Sequence, residues 1–418
     1  MQPAGTIPPQ DWMTAPATRA VLDALTADGQ TVMFVGGCVR DALIGRPVGD
    51  IDIATPDPPE TVTALLQRAG LKAVPTGIEH GTVTAVSGHR PFEITTLRED
   101  VETYGRHARV AFTDDWTADA ARRDFTMNAM FCAPDGTVYD PFGGWDDLVA
   151  GRVRFVGKAE DRVQEDYLRL LRFFRFYARY GRGAPDADAL RAAERHASQL
   201  TTLAAERIHH ELLKFLEAAN PGPAARVIHD HGILQPVLPE ARHAERLRAL
   251  AAVERELGVI IDPLRRMAAW LDLREAHRLG ARLRLSNKQD RHLRQLAAPA
   301  ETVRADMAPR DLRRPLHRLG RDLVRDLYLL AAAERSAAGE RLDAAALAAG
   351  LREIEAWQPK RLPVDGGDVK ALGVPPGPRI KQLLDALDAW WVDRDFQPGR
   401  AACLAELRRR VAAEHPGG

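Results

Sequence analysis

The sequence predicts an α+β chain, a small mixed-sheet head followed by an elongated all-α remainder, on three observations. Short β-rich runs such as VMFV, DIDIA, HGTVTAV and FEITTL alternate with helical stretches up to about residue 156. Past residue 160 such runs vanish, and Leu- and Ala-rich segments with a period of 3.6 follow one another. These segments are punctuated at Asn220-Pro221-Gly222, Pro239, Pro263 and Pro299, residues that stop helices. At 418 residues, 45% of them hydrophobic, the chain has material for about three domains with substantial cores.

Each element follows in order. The first twenty residues carry four prolines and no basic start leading into an apolar core, so they read as neither signal peptide nor membrane span, and residues 1–15 are expected to form a loose arm. Val32 to Val35 reads as a strand ending in Gly36-Gly37, followed by a short helical pattern from Val39 to Ile44. A second strand carries Asp50 and Asp52, and a helix is expected from about Pro58 to Ala69. HGTVTAV and FEITTL, joined by the turn SGHRP, read as a hairpin. Residues 97–112, polar and poorly periodic, read as a long loop. Helix is expected from about Thr117 to Met130, then a short strand pair around Phe131 and Val138, and a Gly143-Gly144 turn into WDDL.

Composition narrows the class. The three cysteines, Cys38, Cys132 and Cys403, are odd in number and far apart, which implies neither a disulfide framework nor a zinc site and fits the reducing cytoplasm. No 18-residue apolar run is present, so no membrane partner is expected. Net charge is zero but unevenly spread: residues 1–130 hold 17 acidic and 11 basic side chains, the remainder 41 and 47. An acidic head and a basic remainder suit a phosphate backbone, although arginine as the preferred surface cation of an Ala- and Arg-rich chain gives the same asymmetry.

Three constellations carry chemistry. In FVGGCVRDALIGRPVGDIDIAT, residues 34–55, the glycines let a backbone approach a phosphate, and the helix start offers unpaired N–H groups for its oxygens. Asp50 and Asp52, two apart on a strand, point to one face while Ile51 and Ile53 point to the other. Such a pair can hold two divalent cations roughly 3.5–4 Å apart, as in phosphoryl transfer. Taken alone, a Gly-Gly or a D-x-D is commonly only a turn or a solvated strand end. In AARRDFTMNAM, residues 120–130, Asp124 and Asn128 share a helical face, so that one can bond a hydroxyl that the other helps fix, and Arg122 and Arg123 bring charge for a triphosphate. An ion-paired surface helix explains an isolated RRD as well, since Asp119 and Arg123 are also i,i+4. In EDYLRLLRFFRFYARY, residues 165–180, Asp166 and Arg169 stand one turn apart, away from the apolar stripe of Leu168, Leu171 and Phe174. An acceptor beside a donor copies the edge of a nucleobase, or forms only an intrahelical salt bridge worth about 0.3–0.5 kcal/mol.

Taken together, GG-x-V-R-D with a D-x-D beginning nine residues after Asp41, then RRDFTMNAM, then EDYLR, resemble the signatures of the polymerase-beta-like nucleotidyltransferases. Within them the chain resembles the class II branch of CCA-adding tRNA nucleotidyltransferases and bacterial poly(A) polymerases, strongly over residues 30–216 and more weakly to about 396. The resemblance implies a loose arm (1–15), a catalytic nucleotidyltransferase head (16–156), a base-selecting helical neck (157–217), a helical body (218–345) and a helical tail (346–418). It implies that Asp50 and Asp52 bind two Mg2+ ions and are catalytic, while Gly36, Gly37 and Arg40 hold the triphosphate. By the same resemblance Arg123 contacts the incoming nucleotide, Asp124 with Asn128 reads the ribose 2′-hydroxyl, and Asp166 with Arg169 serves as an amino-acid template for CTP and ATP. Glu165 is expected to orient Arg169, and Arg172 to support the site. Glu93, on the FEITTL strand, is a possible third carboxylate or an exposed strand residue. The 97–112 segment matches the position of a loop that helps switch the pocket from CTP to ATP in relatives, but its Arg106-His107-Ala108-Arg109 departs from the more usual double arginine.

ERIHHELLKFL, residues 206–216, reads as a brace for the template helix. In the tail, Lys370, Arg379 and Lys381 surround a Pro-Gly-Pro turn that reads as a cradle for an RNA phosphate or as an inter-helix turn packed by Trp390 and Trp391. The implied partners are a tRNA 3′ end, CTP and ATP, with no obligate protein partner. PTGIEHGTVTAV, residues 75–86, favours tRNA over the more basic run of the poly(A) polymerases. A poly(A) polymerase, a CC- or A-only enzyme, and a non-catalytic RNA-binding protein are the other readings.

Overall fold

The computed structural model describes residues 1–28, 31–78, 81–104 and 107–413, the side chains of 76, 100–104, 107–110 and 275 excepted. Glu79, His80 and Arg106, singled out in the sequence, lie outside the described residues. The chain forms two compact units, Met1–Pro239 and Glu240–Gly418.

The first unit is built on one sheet. Its strands are β1 (Pro3–Thr6), β2 (Met33–Val35), β3 (Asp52–Thr55), β4 (Lys72–Gly77), β5 (Thr82–Ser87) and β6 (Arg90–Thr96), joined by β9 (Phe131–Cys132) and β10 (Thr137–Tyr139). They lie in the order β1-β10-β9-β2-β3-β6-β5-β4. β3 and β6 run parallel, with Asp52 beside Glu93, and the other neighbours are antiparallel. The β5–β6 hairpin closes through Gly88 and His89, both at positive φ, the turn whose twist matches paired strands. Helices Pro16–Thr26 and Pro59–Arg68 pack beside β5, burying Val21, Leu25, Val62 and Leu66. Met33, Val35, Ala54, Leu97, Ala120, Ala129, Phe131 and Val156 form a separate core cluster with Trp116 against it.

Two elements depart from the sequence expectation. Residues 3–6 are not a loose arm but the edge strand of the sheet, paired with β10, a place where proline is tolerated because no further strand needs its N–H. The 97–112 segment is not a loop but a two-stranded ribbon, β7 (Arg98–Tyr104) against β8 (His107–Phe112). Main-chain pairing closes such a ribbon without the apolar alternation on which the sequence reading relied.

Beyond the sheet the first unit is helical: Ala159–Glu165, Leu168–Tyr180, Ala187–His196, Ala205–Leu216 and Gly222–Asp230. Helix 168–180 buries Leu170, Leu171, Phe173, Phe174 and Phe176 and packs against helix 205–216. Phe125, Phe155 and Phe173 form an aromatic run that ties this helix to the loop after Arg123. Residues 218–239, expected in a separate body, cluster with this unit.

The second unit is all helical among the described residues. Its helices 244–256, 263–270 and 321–337 enclose a buried ion cluster in which Arg265, Arg266 and Glu254 are each 1% exposed and Asp326 2%. The expected tail has its own core of Val364, Val369, Leu383, Leu387, Trp391, Cys403 and Leu407 within this unit. No helix among the described residues is long and apolar enough to cross a membrane.

Candidate active site

The Gly-Gly turn leads off the site. β2 is wholly buried and stops at Gly36, whose φ of 73° and ψ of −121° suit glycine alone, and helix Gly37–Leu43 starts at once. Arg40, in that helix, is 8% exposed and uses three of its five N–H donors: Nε and Nη2 donate to Asp41 at 3.1 and 2.9 Å, and Nη1 donates to Asn128 Oδ1 at 2.6 Å. Its guanidinium also lies over the Tyr180 ring at 4.5 Å, while the Tyr180 hydroxyl donates to Asp41 at 2.8 Å. Burial pushes the Asp41 carboxyl upward, but the hydrogen bonds and charge of Arg40 outweigh it and hold the group below the usual carboxylate range.

The carboxylate pair follows. Ile51 and Ile53 are 1% and 0% exposed while Asp50 is exposed and Asp52 half-buried, the alternation that the sequence predicts, although β3 begins only at Asp52. The Asp52 carboxyl is pushed up to about 6, by burial first and then by the neighbouring Glu93, with Asp50 adding to it and Arg123 and Arg40 opposing. Crowded carboxylates that resist ionisation are the electrostatic condition a divalent cation relieves. Among the described residues no three His, Cys, Asp or Glu side chains gather as one ligand set. The pair still fits Mg2+, which is commonly held by one or two carboxylates together with waters and substrate phosphates. Glu93 is exposed and enters as the charged neighbour of Asp52 across the parallel pair.

The RRDFTMN segment is not the continuous helix the sequence predicts. Helix Trp116–Ala121 ends because Asp119, 1% exposed, collects the guanidinium groups of both Arg122 and Arg123, and Phe125 then bridges to Phe155 as extended chain. A single turn of 3-10 helix, Thr126–Asn128, closes the loop. The expected pairing survives without the helix: Asn128 Nδ2 donates to Asp124 Oδ1 at 3.0 Å. Arg172 donates to Asp124 Oδ2 from two nitrogens, 2.8 Å from Nε. Burial opposes ionisation of Asp124, but the Arg172 charge outweighs it and keeps the carboxyl low. The loop is held from behind by Asp147, whose Oδ2 accepts from Thr126 Oγ1 at 2.7 Å. Gly144 lies so close that a Cβ there would stand 2.1 Å from the Thr126 carbonyl oxygen. The WDDL segment thus shapes the site, and its sequence signal is the Gly143-Gly144 pair.

The third constellation also breaks a predicted helix. One helix ends at Glu165, Asp166 is extended with φ −154° and ψ 110°, and the next begins at Leu168. Asp166 therefore does not pair with Arg169. Its Oδ1 accepts from the Leu168 N–H at 3.1 Å, and its Oδ2 accepts from Arg207 Nη2 at 2.7 Å. Arg169 donates to Glu165, as orientation by Glu165 requires, and to the Arg162 carbonyl at 3.2 Å.

These groups meet in one cleft of about 480 Å³. Gly36, Gly37, Arg40, Asp52, Arg123, Asp124, Asn128, Asp166, Arg169 and Arg172 all line it, with Arg122, Leu168, Phe176 and Arg207. Asp50, Glu93 and Glu165 stand behind or beside the lining. Sequence reasoning did not place Arg207 in the site, and nothing in ERIHHE marks it before the fold brings it to Asp166. Lys370, Arg379 and Lys381 belong to the second unit, where Lys370 is exposed and Lys381 pairs with Asp385 at 2.5 Å.

Residues 32–154 match the family model described as the poly A polymerase head domain, and residues 184–245 match the model of a probable RNA and SrmB-binding site of polymerase A. The first unit thus carries a nucleotidyltransferase head. The chain is 34% identical over 383 residues to the mitochondrial CCA tRNA nucleotidyltransferase 1 of Danio rerio, covering 90% of this chain and 86% of that one. It is 33% identical to the mitochondrial CCA tRNA nucleotidyltransferase 1 of Homo sapiens, over 94% of this chain and 89% of that one. In three dimensions it is similar to the CCA-adding enzyme of Bacillus stearothermophilus in complex with CTP, with a TM-score of 0.79 and 29% identity over 96% of this chain and 99% of that one. The chain belongs to the family of class II CCA-adding tRNA nucleotidyltransferases and bacterial poly(A) polymerases.

Proposed function

We propose that the protein is a template-independent RNA nucleotidyltransferase that adds CMP, CMP and AMP to the 3′ end of tRNA, using CTP and ATP and releasing pyrophosphate. The observation that carries this reading is the meeting in one cleft of the Gly36-Gly37 turn with Asp52, Asp124, Asp166 and Arg169. The kinship to CCA tRNA nucleotidyltransferases along nearly the whole chain supports it.

In this reading Gly36, Gly37, Arg40 and Arg123 receive the triphosphate, and Asp124, fixed by Asn128 and Arg172, accepts from the ribose 2′-hydroxyl. Asp166 and Arg169 present an acceptor and donors to the Watson–Crick edge of the base, which leaves a wrong base with buried polar groups unpaired. Asp50 and Asp52 would hold two Mg2+ ions, which supply charge neutralisation and activation of the RNA 3′-hydroxyl. The 3′-oxygen attacks the α-phosphorus in line, forming the new phosphodiester bond as the bond to the pyrophosphate oxygen breaks, with positioning and charge neutralisation supplying most of the rate. Exposed cations such as Lys370 would meet the RNA backbone. Three free, buried cysteines suit a reducing compartment, here the cytoplasm.

The test uses tRNA transcripts ending before the first C, the second C and the final A, each incubated with single labelled NTPs. Addition of CMP, CMP and then AMP, stopping there, is the expected result. Unlimited AMP tails would make the protein a poly(A) polymerase and overturn the reading.

A further inference from the structure

We propose that Arg207 is a specificity-setting positioning residue: it fixes the carboxylate of Asp166 in the orientation that reads the base. This inference rests on the base-reading role given above to Asp166 and Arg169 and adds a third residue to it.

The argument begins with the chain break. Asp166 belongs to neither flanking helix, so no helical backbone bond fixes its side chain, and its extended φ and ψ leave the carboxylate on the cleft wall. A lone aspartate in such a place samples several rotamers, each presenting different lone pairs. Here two contacts remove that freedom. The Leu168 N–H at 3.1 Å holds Oδ1, the local bond any aspartate two residues before a helical N–H can make. The second contact comes from 41 residues along the chain, where Arg207 Nη2 holds Oδ2 at 2.7 Å. Arg207 sits in the first turn of helix Ala205–Leu216 and lines the same cleft. That helix is itself locked to the template helix, because buried Glu211 accepts from Arg175 Nε at 2.7 Å and lies 3.9 Å from Arg172 Nη1. The Arg207 anchor is therefore rigid with respect to Arg169 and Arg172.

An ionised carboxylate has about four lone-pair sites, of which these contacts use two. The remaining two belong to a carboxylate held in place on the cleft wall, and a fixed set of acceptors is the condition for discriminating an exocyclic amino group from a carbonyl oxygen. Arg169 is fixed in the same manner by Glu165 and the Arg162 carbonyl. Each member of the base-reading pair thus has its own countercharge, Glu165 for the arginine and Arg207 for the aspartate. A brace for the helices alone would need Glu211 and Arg175, not a guanidinium aimed into the cleft.

The experiment compares the full-length protein with Arg207→Met, Arg207→Lys and Asp166→Asn on the three tRNA transcripts, measuring kcat and KM for CTP, UTP, ATP and GTP. For Arg207→Met the expected result is a fall of about tenfold or more in the CTP-over-UTP and ATP-over-GTP ratios of kcat/KM, carried mainly by the nucleotide KM, with the tRNA KM unchanged. Arg207→Lys, which keeps the charge and one donor nitrogen on a flexible stem, is expected to restore part of both ratios. An equal loss for all four nucleotides, or unaltered ratios in Arg207→Met, would reduce Arg207 to a structural brace and overturn the proposal. Should Arg207→Met not fold, unaltered ratios in a folded Arg207→Lys together with lost ratios in Asp166→Asn would overturn it equally. If instead Asp166→Asn leaves nucleotide choice intact, the base-reading assignment itself fails, and that outcome is told apart by the variant that produces it.

Discussion

Two arginine–carboxylate networks in this protein use the same chemistry to different ends. In the first unit, Asp41, Arg40, Asn128, Asp124 and Arg172 form a chain along the wall of a cleft, with side chains between 9% and 32% exposed at its two ion pairs. In the second unit, Arg265 donates to Glu254 at 2.8 Å and to Asp326 at 2.9 Å, and Arg266 donates to Glu254 at 2.7 Å. Those four residues are at most 3% exposed, and Asp326 has partners that reach toward solvent, His292 at 2.8 Å and Arg325 at 3.7 Å. A closed network holds helices in one register, since its groups are occupied by one another and by their immediate neighbours. An open one lines a cleft that a ligand can enter. Exposure, rather than residue type, separates a site from a structural cluster.

The comparison can be broken first at its chemical end. Asp52→Asn is expected to reduce nucleotide transfer by about a hundredfold to a thousandfold or more, since on the proposed reading it removes a metal ligand from the reacting phosphate. The same substitution is expected to raise the melting temperature at pH 7.5 in metal-free buffer. The Asp52 carboxyl is raised to about 6 in the fold, so its ionised form opposes folding. That penalty is absent below about pH 4, grows as the pH passes through about 6, and is complete above it. Melting curves of both proteins at pH 4 and pH 7.5 check the sign: the gain should be present at the higher pH and vanish at the lower. Equal activity in Asp52→Asn would end the catalytic assignment.

At the closed network the effect falls on stability. Glu254→Gln leaves Arg265 and Arg266 buried without their shared countercharge, at an expected cost of about 3–5 kcal/mol in urea unfolding. Asp124→Ala gives the intermediate case. Arg172 keeps solvent access and the nearby Glu211, so the expected loss of stability is only about 1–2 kcal/mol. Selection of NTP over dNTP, measured as a ratio of kcat/KM, is expected to fall about tenfold to a hundredfold in the same variant. If Asp124→Ala unfolds the protein as severely as Glu254→Gln while sparing sugar selection, the distinction between open and closed networks fails.

Much of the open network is legible in the sequence because its parts are local. The Gly-Gly turn, the alternation Asp50 to Ile53 and the i,i+4 relation of Asp124 to Asn128 are all set within a few residues. What the sequence hides is set by partners far along the chain. The predicted helix Thr117–Met130 stops after Ala121 because Asp119 gathers both arginines and Thr126 is drawn to Asp147, 21 residues away. The intrahelical salt bridge that Asp166 and Arg169 could make on one continuous helix gives way to partners Arg207 and Glu165, because the helix is interrupted at Asp166. β1 and the 98–112 ribbon escape notice because an edge strand and a two-stranded ribbon show no apolar alternation. The closed network is the least legible of all, since in an Arg-rich chain no pattern marks Arg265 and Arg266 as the two that are buried.

Gly144 carries a consequence for how this site can vary. With no room for a methyl group between its backbone and the Thr126 carbonyl, position 144 acts as a mechanical stop against which the loop proposed to read the sugar rests. Any larger residue there moves the stop, and with it Asp124 and Asn128, although it touches neither nucleotide nor metal. The tolerance of the site to mutation is therefore set in part by a residue that has no side chain, and a screen for lost sugar selection should recover position 144 alongside the charged residues of the cleft.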